Sequence, residues 1–378
     1  MSFIKSIKLK NFRNFKALEI NNFERFNILV GNNAVGKTNL LEAINLICEQ
    51  HSFRKPKWQD LLTSSAVNND LMFIEGIDSE NNKISLSVSN GSKKLKFNGK
   101  YKTSIDIKNK LPCVTFIPDD LMVVKGSSKL RRDLVDKIGC QLSKNYQVVR
   151  RDYNNLIAQK NYMLKKCPDL NTLKALNEVM VITASQFTLL RRNLLSIYAE
   201  YITNSYNKIC SSHDEDNLNK SNEALNFYYV SNILNFDKES FENVTECNLT
   251  KAELQKLIKD KLLLLEQKEL VSGRSLIGPH RDDIKFTLNN IEAKDYASQG
   301  QHRSIILALK LAHLKLIESK IKKSPILLLD DVMSELDKTR RNKLLNLLNN
   351  ISQVFITTTN LDYFDNSFLD KADIIKLP

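Results

Sequence analysis

Apolar and polar residues alternate from Phe3 to Leu9 and from Ala17 to Ile20, and a continuous apolar run from Phe26 to Val30 ends at Gly31. This patterning predicts three strands. Leu40, Leu41, Ile44 and Ile47 then recur at helical spacing, which predicts a helix directly after the glycine. Leu71 to Phe97 is broken at Asn81-Asn82 and Asn90-Gly91, so a hairpin meander is expected, and Pro112 to Ile117 reads as one more strand. From about Lys129 to Cys210 the pattern changes to long amphipathic helices with almost no glycine, interrupted near Pro168. Thr250-x-x-Glu253 is a capping box ahead of Leu254, Leu257 and Ile258, and opens another helix. Strands and helices then alternate: Asp283 to Leu288, Gly300 to Ser319, Ile326 to Leu329, a helix around Arg340 to Leu348, and Val354 to Thr357.

This order predicts an α/β domain in two halves that are far apart in sequence, with a mainly helical lobe inserted between them. The expected divisions are 1–120, 121–270 and 271–378. The length of 378 residues suits more than one domain. Pure aliphatic runs such as Leu262 to Leu265 fall well below the roughly 20 residues that cross a bilayer. The N-terminus has no apolar signal region, so export is not indicated. Six cysteines (Cys48, Cys113, Cys140, Cys167, Cys210, Cys247) lie at least 27 positions apart without a CxxC pair, which fits isolated thiols in a reducing cytoplasm better than a zinc ribbon or a disulfide framework.

Charge changes the picture. Lys and Arg number 56 against 43 acidic residues, a net of +13, which biases large partners toward polyanions. The excess is uneven: Lys83 to Lys110 holds eight basic residues and one acidic, and Leu121 to Lys166 eleven and three, whereas Ser211 to Asp260 holds five and ten. Lys125, Lys129, Arg131, Arg132, Lys144, Arg150 and Arg151 cluster where the chain enters the helical lobe and are candidate contacts to nucleic-acid phosphates; an ordinary solvated helix face is the plainer alternative.

The sharpest chemistry is Gly31-Asn32-Asn33-Ala34-Val35-Gly36-Lys37-Thr38, a GxxxxGK[ST] loop between a strand and a helix, followed by Asn39. Its backbone N–H groups would wrap phosphate oxygens, Lys37 would neutralise β- and γ-phosphate charge, and Thr38 would ligate Mg²⁺. Ile326 to Asp331 is an aliphatic strand ending in two carboxylates. Asp330 is placed to hold Mg²⁺, and Asp331 to orient and deprotonate an attacking water. Ser298-Gln299-Gly300-Gln301 precedes a helix and reads equally as a capping box or as a second anion site.

With Ser334-Glu335-Leu336-Asp337, these elements resemble the ABC-type ATPase heads of the SMC class and, within it, the RecF family. Further stretches carrying the resemblance are PDDLMVVKG followed by Arg131-Arg132, IGPHRDD at 277–283, YASQGQHRS at 296–304 and FITTT at 355–359. It implies an ABC-type P-loop ATPase head that uses ATP and Mg²⁺, and a head-to-tail homodimer in which Ser298, Gly300 and Gln301 of one subunit meet the γ-phosphate held by Lys37 of the other. Asp337 would sit at the dimer seam, and Arg13 would reach nucleotide phosphates. It further implies weak DNA-dependent ATP hydrolysis in the cytoplasm at the nucleoid. Binding to double- and single-stranded DNA at gapped junctions, with RecR, RecO and RecA loading, follows from the same likeness. Some positions depart from the common pattern. Asp331 stands where most ABC ATPases carry Glu, Thr357-Thr358-Thr359 lacks a switch histidine, no Q-loop glutamine is placed, and Ser128 and Leu134 replace a common proline and aromatic. Two other classes share a P-loop: the ATPase subunit of an importer, and a small-molecule kinase that needs no signature serine.

Overall fold

Alternation near the N-terminus becomes the strands β1 (Ile4–Phe12) and β2 (Phe15–Ile20). The meander becomes β4 (Met72–Asp78), β5 (Lys83–Ser89) and β6 (Ser92–Phe97), with a short β7 (Lys100–Tyr101). The computed structural model describes residues 3–54, 56–63, 71–107, 109–166, 169–210, 223–234, 249–349 and 351–377. Cys167, Cys247 and the expected break at Pro168 lie outside the described residues. These six strands form an antiparallel sheet in the order β2-β1-β4-β5-β6-β7. Asn81, Asn90 and Gly91 take positive φ at the expected turns, the conformation for which Asn and Gly have least penalty.

A second, parallel sheet has the order β14-β3-β13-β12-β8. Its strands are β3 (Phe26–Val30), β8 (Cys113–Phe116), β12 (Ile326–Asp330), β13 (Gln353–Thr358) and β14 (Ala372–Lys376). Every residue of β8, β12 and β13 is buried, as expected for parallel strands covered on both faces. Between the sheets lies the helix Lys37–Glu49, buried on almost every side rather than along one stripe. Its Leu40, Leu41, Ile44 and Ile47 share one core with Ile7, Leu9, Ile74 and Leu86 of the first sheet and with Leu29, Leu328 and Phe355 of the second. Gly76 of β4 is needed for this approach, because a Cβ there would lie 2.8 Å from Ile47 Cγ2.

The chain divides into two compact units, one running to Asp120 and resuming at His313, the other spanning Leu121–Ala312. By packing, residues 271–312 therefore group with the helical unit, although the motif order places them at the start of the C-terminal half of the head. The helical unit contains the helices Ser128–Leu142, Lys144–Lys166, Leu170–Cys210 and Lys251–Ser272. It also holds a small sheet, β11-β10-β9, made of β9 (Leu225–Val230), β10 (Asp283–Leu288) and β11 (Ile291–Glu292). The Thr250 capping box forms as expected, with Thr250 Oγ1 and Glu253 each taking the other's backbone N–H. The sequence reading did not show the break at Ser143, whose backbone is extended and whose Oγ accepts Tyr146 N–H at 3.2 Å.

The core of this unit is organised around charge. Arg191 is buried and bidentate on Asp136 at 3.0 Å, donates to Pro279 O at 2.7 Å and approaches Asp282 at 3.5 Å. Asp282 also accepts from Asn232 N at 2.7 Å and from the Tyr229 hydroxyl. Burial pushes the Asp282 carboxyl up, and the Arg191 charge opposes the shift. The IGPHRDD stretch thus has a structural role here, since removing one member of a buried charge network leaves the rest uncompensated. Among the described residues, no helix is long and apolar enough to cross a membrane.

Candidate nucleotide-binding site

Strand β3 delivers the chain into the loop Gly31–Gly36, and the helix Lys37–Glu49 leaves it, so the unpaired N–H groups of the first helical turn border the loop. Gly36 has φ +109°, and a Cβ on it would lie 2.5 Å from Asn14 Nδ2 and 2.7 Å from Phe15 Cζ, so only glycine fits. Asn32, Asn33 and Ala34 are exposed, while Val35 is half-buried. Asn14, which the sequence reading did not single out, latches the loop: its Nδ2 donates to Val35 O at 2.9 Å and its Oδ1 accepts from Asn39 Nδ2 at 2.7 Å. Lys37 Nζ donates to Gly31 O at 2.7 Å and Asn32 O at 2.8 Å, which holds the ammonium across the loop.

Strand order brings the second half of the site in. β13 lies between β3 and β12, and its register sets Thr357 beside Asp330. Asp330 Oδ1 accepts from the Thr38 hydroxyl at 2.8 Å and from the Thr357 hydroxyl at 2.9 Å, and Thr357 Oγ1 accepts Asp331 N–H at 2.8 Å. Burial pushes the Asp330 carboxyl up; both hydroxyls and the Arg54 charge oppose this. Asp331 sits in the left-handed region at φ 50°, and its Oδ1 is buried without a hydrogen-bond partner among the described residues. Thr38 Oγ1 and Asp330 are the hard oxygen pair that Mg²⁺ takes when phosphates and water complete its shell. They fit the ion, which would supply charge neutralisation at the phosphates. Among the described residues no cluster of three or more His, Cys, Asp or Glu could hold a metal by itself.

Arg13 does not point at free space. Its Nε and Nη2 are bidentate on Glu42 at 2.9 Å, and Nη1 donates to Asp60 O at 3.0 Å. Arg13, the arginine expected to reach phosphate, is thus held by the buried Glu42 carboxylate. Arg54 lies nearer the chemistry: Nη1 donates to Asn39 Oδ1 at 2.7 Å and lies 3.4 Å from Glu42. No motif spacing marks it in the sequence.

In the helical unit, Ser298 is exposed ahead of the helix Gln299–Ile321, with Gly300 partly exposed. The capping box is made: Ser298 N donates to Gln301 Oε1 at 2.7 Å, and Gln301 N to Ser298 Oγ at 3.2 Å. Gln301 Nε2 then donates to Glu223 at 2.7 Å, and Tyr206 OH donates to the other Glu223 oxygen at 2.9 Å, so the signature glutamine is held by residues outside its motif. Asp337 caps the helix Lys338–Leu348 by accepting Arg340 N–H at 2.8 Å, and it pairs with the Arg340 side chain.

The family profile described as RecF/RecN/SMC N terminal domain matches residues 3–375. A DNA replication and repair protein RecF from Cyanothece sp. is 34% identical over 382 residues, covering 99% of this chain and 96% of that protein. The chain belongs to the RecF family. Solved structures of the recombination mediator protein RecF in the RecFOR pathway, with ATPrS and with ATP, match at TM-scores of 0.83 and 0.82, each 29% identical and covering 96% of this chain and 94% of theirs. An Smc head domain from Pyrococcus furiosus, 15% identical, shares the fold at a TM-score of 0.53 over 100% of this chain and 93% of its own. As a RecF-family protein it is an SMC-like ABC-type ATPase head, ATP-binding, and belongs to DNA replication and repair.

Against that membership, the basic cluster divides sharply. Arg131 is 5% exposed and bidentate on Asp283 at 2.8 and 2.9 Å. Arg132 binds Asp282 O, and Arg150 is partly buried beside Asp133 and Asp136 at 3.7 and 3.5 Å. These three guanidiniums hold the helical unit together and are removed from the candidate DNA contacts. Arg151 is exposed and pairs with Asp152 at 3.0 Å. Lys125, Lys129 and Lys144 are exposed.

Thr357 is 1% exposed, and its hydroxyl serves both carboxylate residues of the RecF-family site. Thr357→Val is expected to strand the Asp331 N–H and destabilise the head by about 1–3 kcal/mol. A lower urea midpoint measures this, and Thr357→Ser, which keeps the hydroxyl, should restore most of it.

Proposed function

We propose that the chain is an ATP-dependent DNA-binding recombination mediator whose ATP-bound form is a head-to-tail homodimer. Lys37 and the loop bind the triphosphate, Thr38 and Asp330 hold Mg²⁺, and Asp331 accepts the proton of the attacking water. Ser298, Gly300 and Gln301 of the second subunit close over the γ-phosphate, with Asp337 at the seam. The dimer acts in the cytoplasm at the nucleoid, on gaps and single-strand/double-strand junctions, with RecR and RecO, and assists RecA loading. Hydrolysis is slow, is stimulated by DNA, and releases the dimer.

The observation that carries this reading is the meeting of Thr38, Asp330 and Thr357 on one carboxylate oxygen, beside an Asp331 oxygen that has no partner among the described residues. A binding module with no hydrolytic role has no need of a second carboxylate with a buried oxygen left without a partner among the described residues. Exposure of Ser298 fits a surface kept open for a second copy. Lys125, Lys129 and Lys144 supply phosphate contacts, and closure of the dimer doubles their number.

Light scattering after gel filtration tests the reading. The 43.4 kDa chain is expected to double its mass with ATP and Mg²⁺, to co-elute with gapped duplex, and to stay monomeric as Ser298→Arg with ATP binding intact. A parent protein that binds ATP yet stays monomeric with gapped DNA present overturns it.

A further inference from the structure

The six-stranded antiparallel sheet buries one face, and among the described residues its other face carries exposed and partly exposed side chains. Ile74, Ile84, Leu86 and Leu95 point to the core, while the residues between them alternate outward. Register then dictates which outward residues are neighbours. One rank across the sheet reads Lys10, Phe73, Ser87, Lys94, and the next reads Lys8, Glu75, Ser85, Lys96, Tyr101. Lys10 and Lys94 are exposed, and Phe73 is partly exposed between them. Tyr101 is 66% exposed on the edge strand, with the Lys96 ammonium 4.8 Å from its ring centroid. Carboxylates are few: Glu19 is taken by Lys8 at 3.0 Å, Glu75 lies in the second rank, and Asp106 accepts from Thr103 at 2.9 and 2.8 Å.

We propose that this second face binds single-stranded DNA, with Phe73 and Tyr101 as stacking surfaces and Lys10, Lys94 and Lys96 as phosphate contacts. Three features favour that occupant over a duplex or a protein. Aromatic rings presented on a sheet face stack on bases that are unpaired, since a duplex stacks its base faces internally. Lys10 and Lys94 stand three strands apart, roughly 14 Å at ordinary strand spacing, so an extended nucleic-acid strand crossing the sheet meets a cation at each side of Phe73. Ser85 and Ser87 keep the floor between them low and polar, unlike the apolar centre of a protein interface. The inference rests on the DNA-binding reading above and deepens it: the unpaired strand of a gap has its own place on the ATPase head, separate from the lysines of the helical unit.

Fluorescence anisotropy with a labelled oligothymidylate and, separately, a blunt duplex tests this across a salt series. Leucine preserves apolar bulk while removing the ring, so the double variant Phe73→Leu, Tyr101→Leu should stay folded and bind ATP. It is expected to lose at least about 30-fold in affinity for the oligothymidylate and to keep its affinity for duplex. Lys94→Glu with Lys96→Glu should lower the slope of log affinity against log salt by about 0.7 for each phosphate that no longer meets a lysine. Unchanged oligothymidylate binding in the leucine variant, or an equal loss on duplex, overturns the platform and leaves the DNA-binding reading standing. A parent protein that binds neither DNA overturns both.

Discussion

Lys37→Ala is expected to abolish measurable ATP binding, a loss of at least about 100-fold. The ammonium is held by two loop carbonyls, Gly31 O and Asn32 O, at 2.7 and 2.8 Å, and is poised at the mouth of a loop built only of neutral residues. A triphosphate entering the alanine variant keeps the backbone N–H groups of the loop but loses the ammonium, its principal charge partner among the side chains, an interaction of the charge-assisted class. The substitution should cost the fold little, because those two carbonyls can turn to water at an exposed loop. Titration calorimetry with ATP and Mg²⁺ on a variant of unchanged circular dichroism measures it. Parental affinity in that variant would remove Lys37 from the site.

Asp331→Asn should keep nucleotide binding and slow turnover by about 10²–10⁴-fold, the range of a positioned general base. The structure makes this a clean substitution. Asp331 sits at φ 50°, which Asn tolerates as well as Asp, and its Oδ1 has no hydrogen bond among the described residues for the amide to break. Its backbone N–H to Thr357 is unaffected by the change. Without a proton acceptor the ATP-bound dimer should accumulate, so phosphate release falls while the dimer fraction in light scattering rises. Hydrolysis at the parental rate would pass the base role to another group.

Much of this protein is written in local patterns. The P-loop, the aliphatic strand ending in Asp330-Asp331, the Thr250 capping box and the Asn-rich turns all depend on residues within a few positions of each other, and each forms where the sequence places it. Long-range pairing is different, because which strand lies beside which is settled by burial over hundreds of residues. Thr357 stands 319 positions after Thr38, and only the order β3-β13-β12 brings both hydroxyls to Asp330. β14 and β9 escape the sequence reading, and each joins its sheet beside a partner distant in the chain, β3 and β10. Charge misleads most. Arg131, Arg132 and Arg150 count with Lys125 and Lys129 in any composition, yet the fold gives the guanidiniums acceptors such as Asp283 and Asp136, while the lysines stay at the surface. The sequence by itself determined the phosphate chemistry, because that chemistry needs a short loop of specific residue types. Tertiary structure alone decided which basic side chains are taken by carboxylates and that Thr357 joins Thr38 on Asp330, since those depend on what lies opposite once the core has closed.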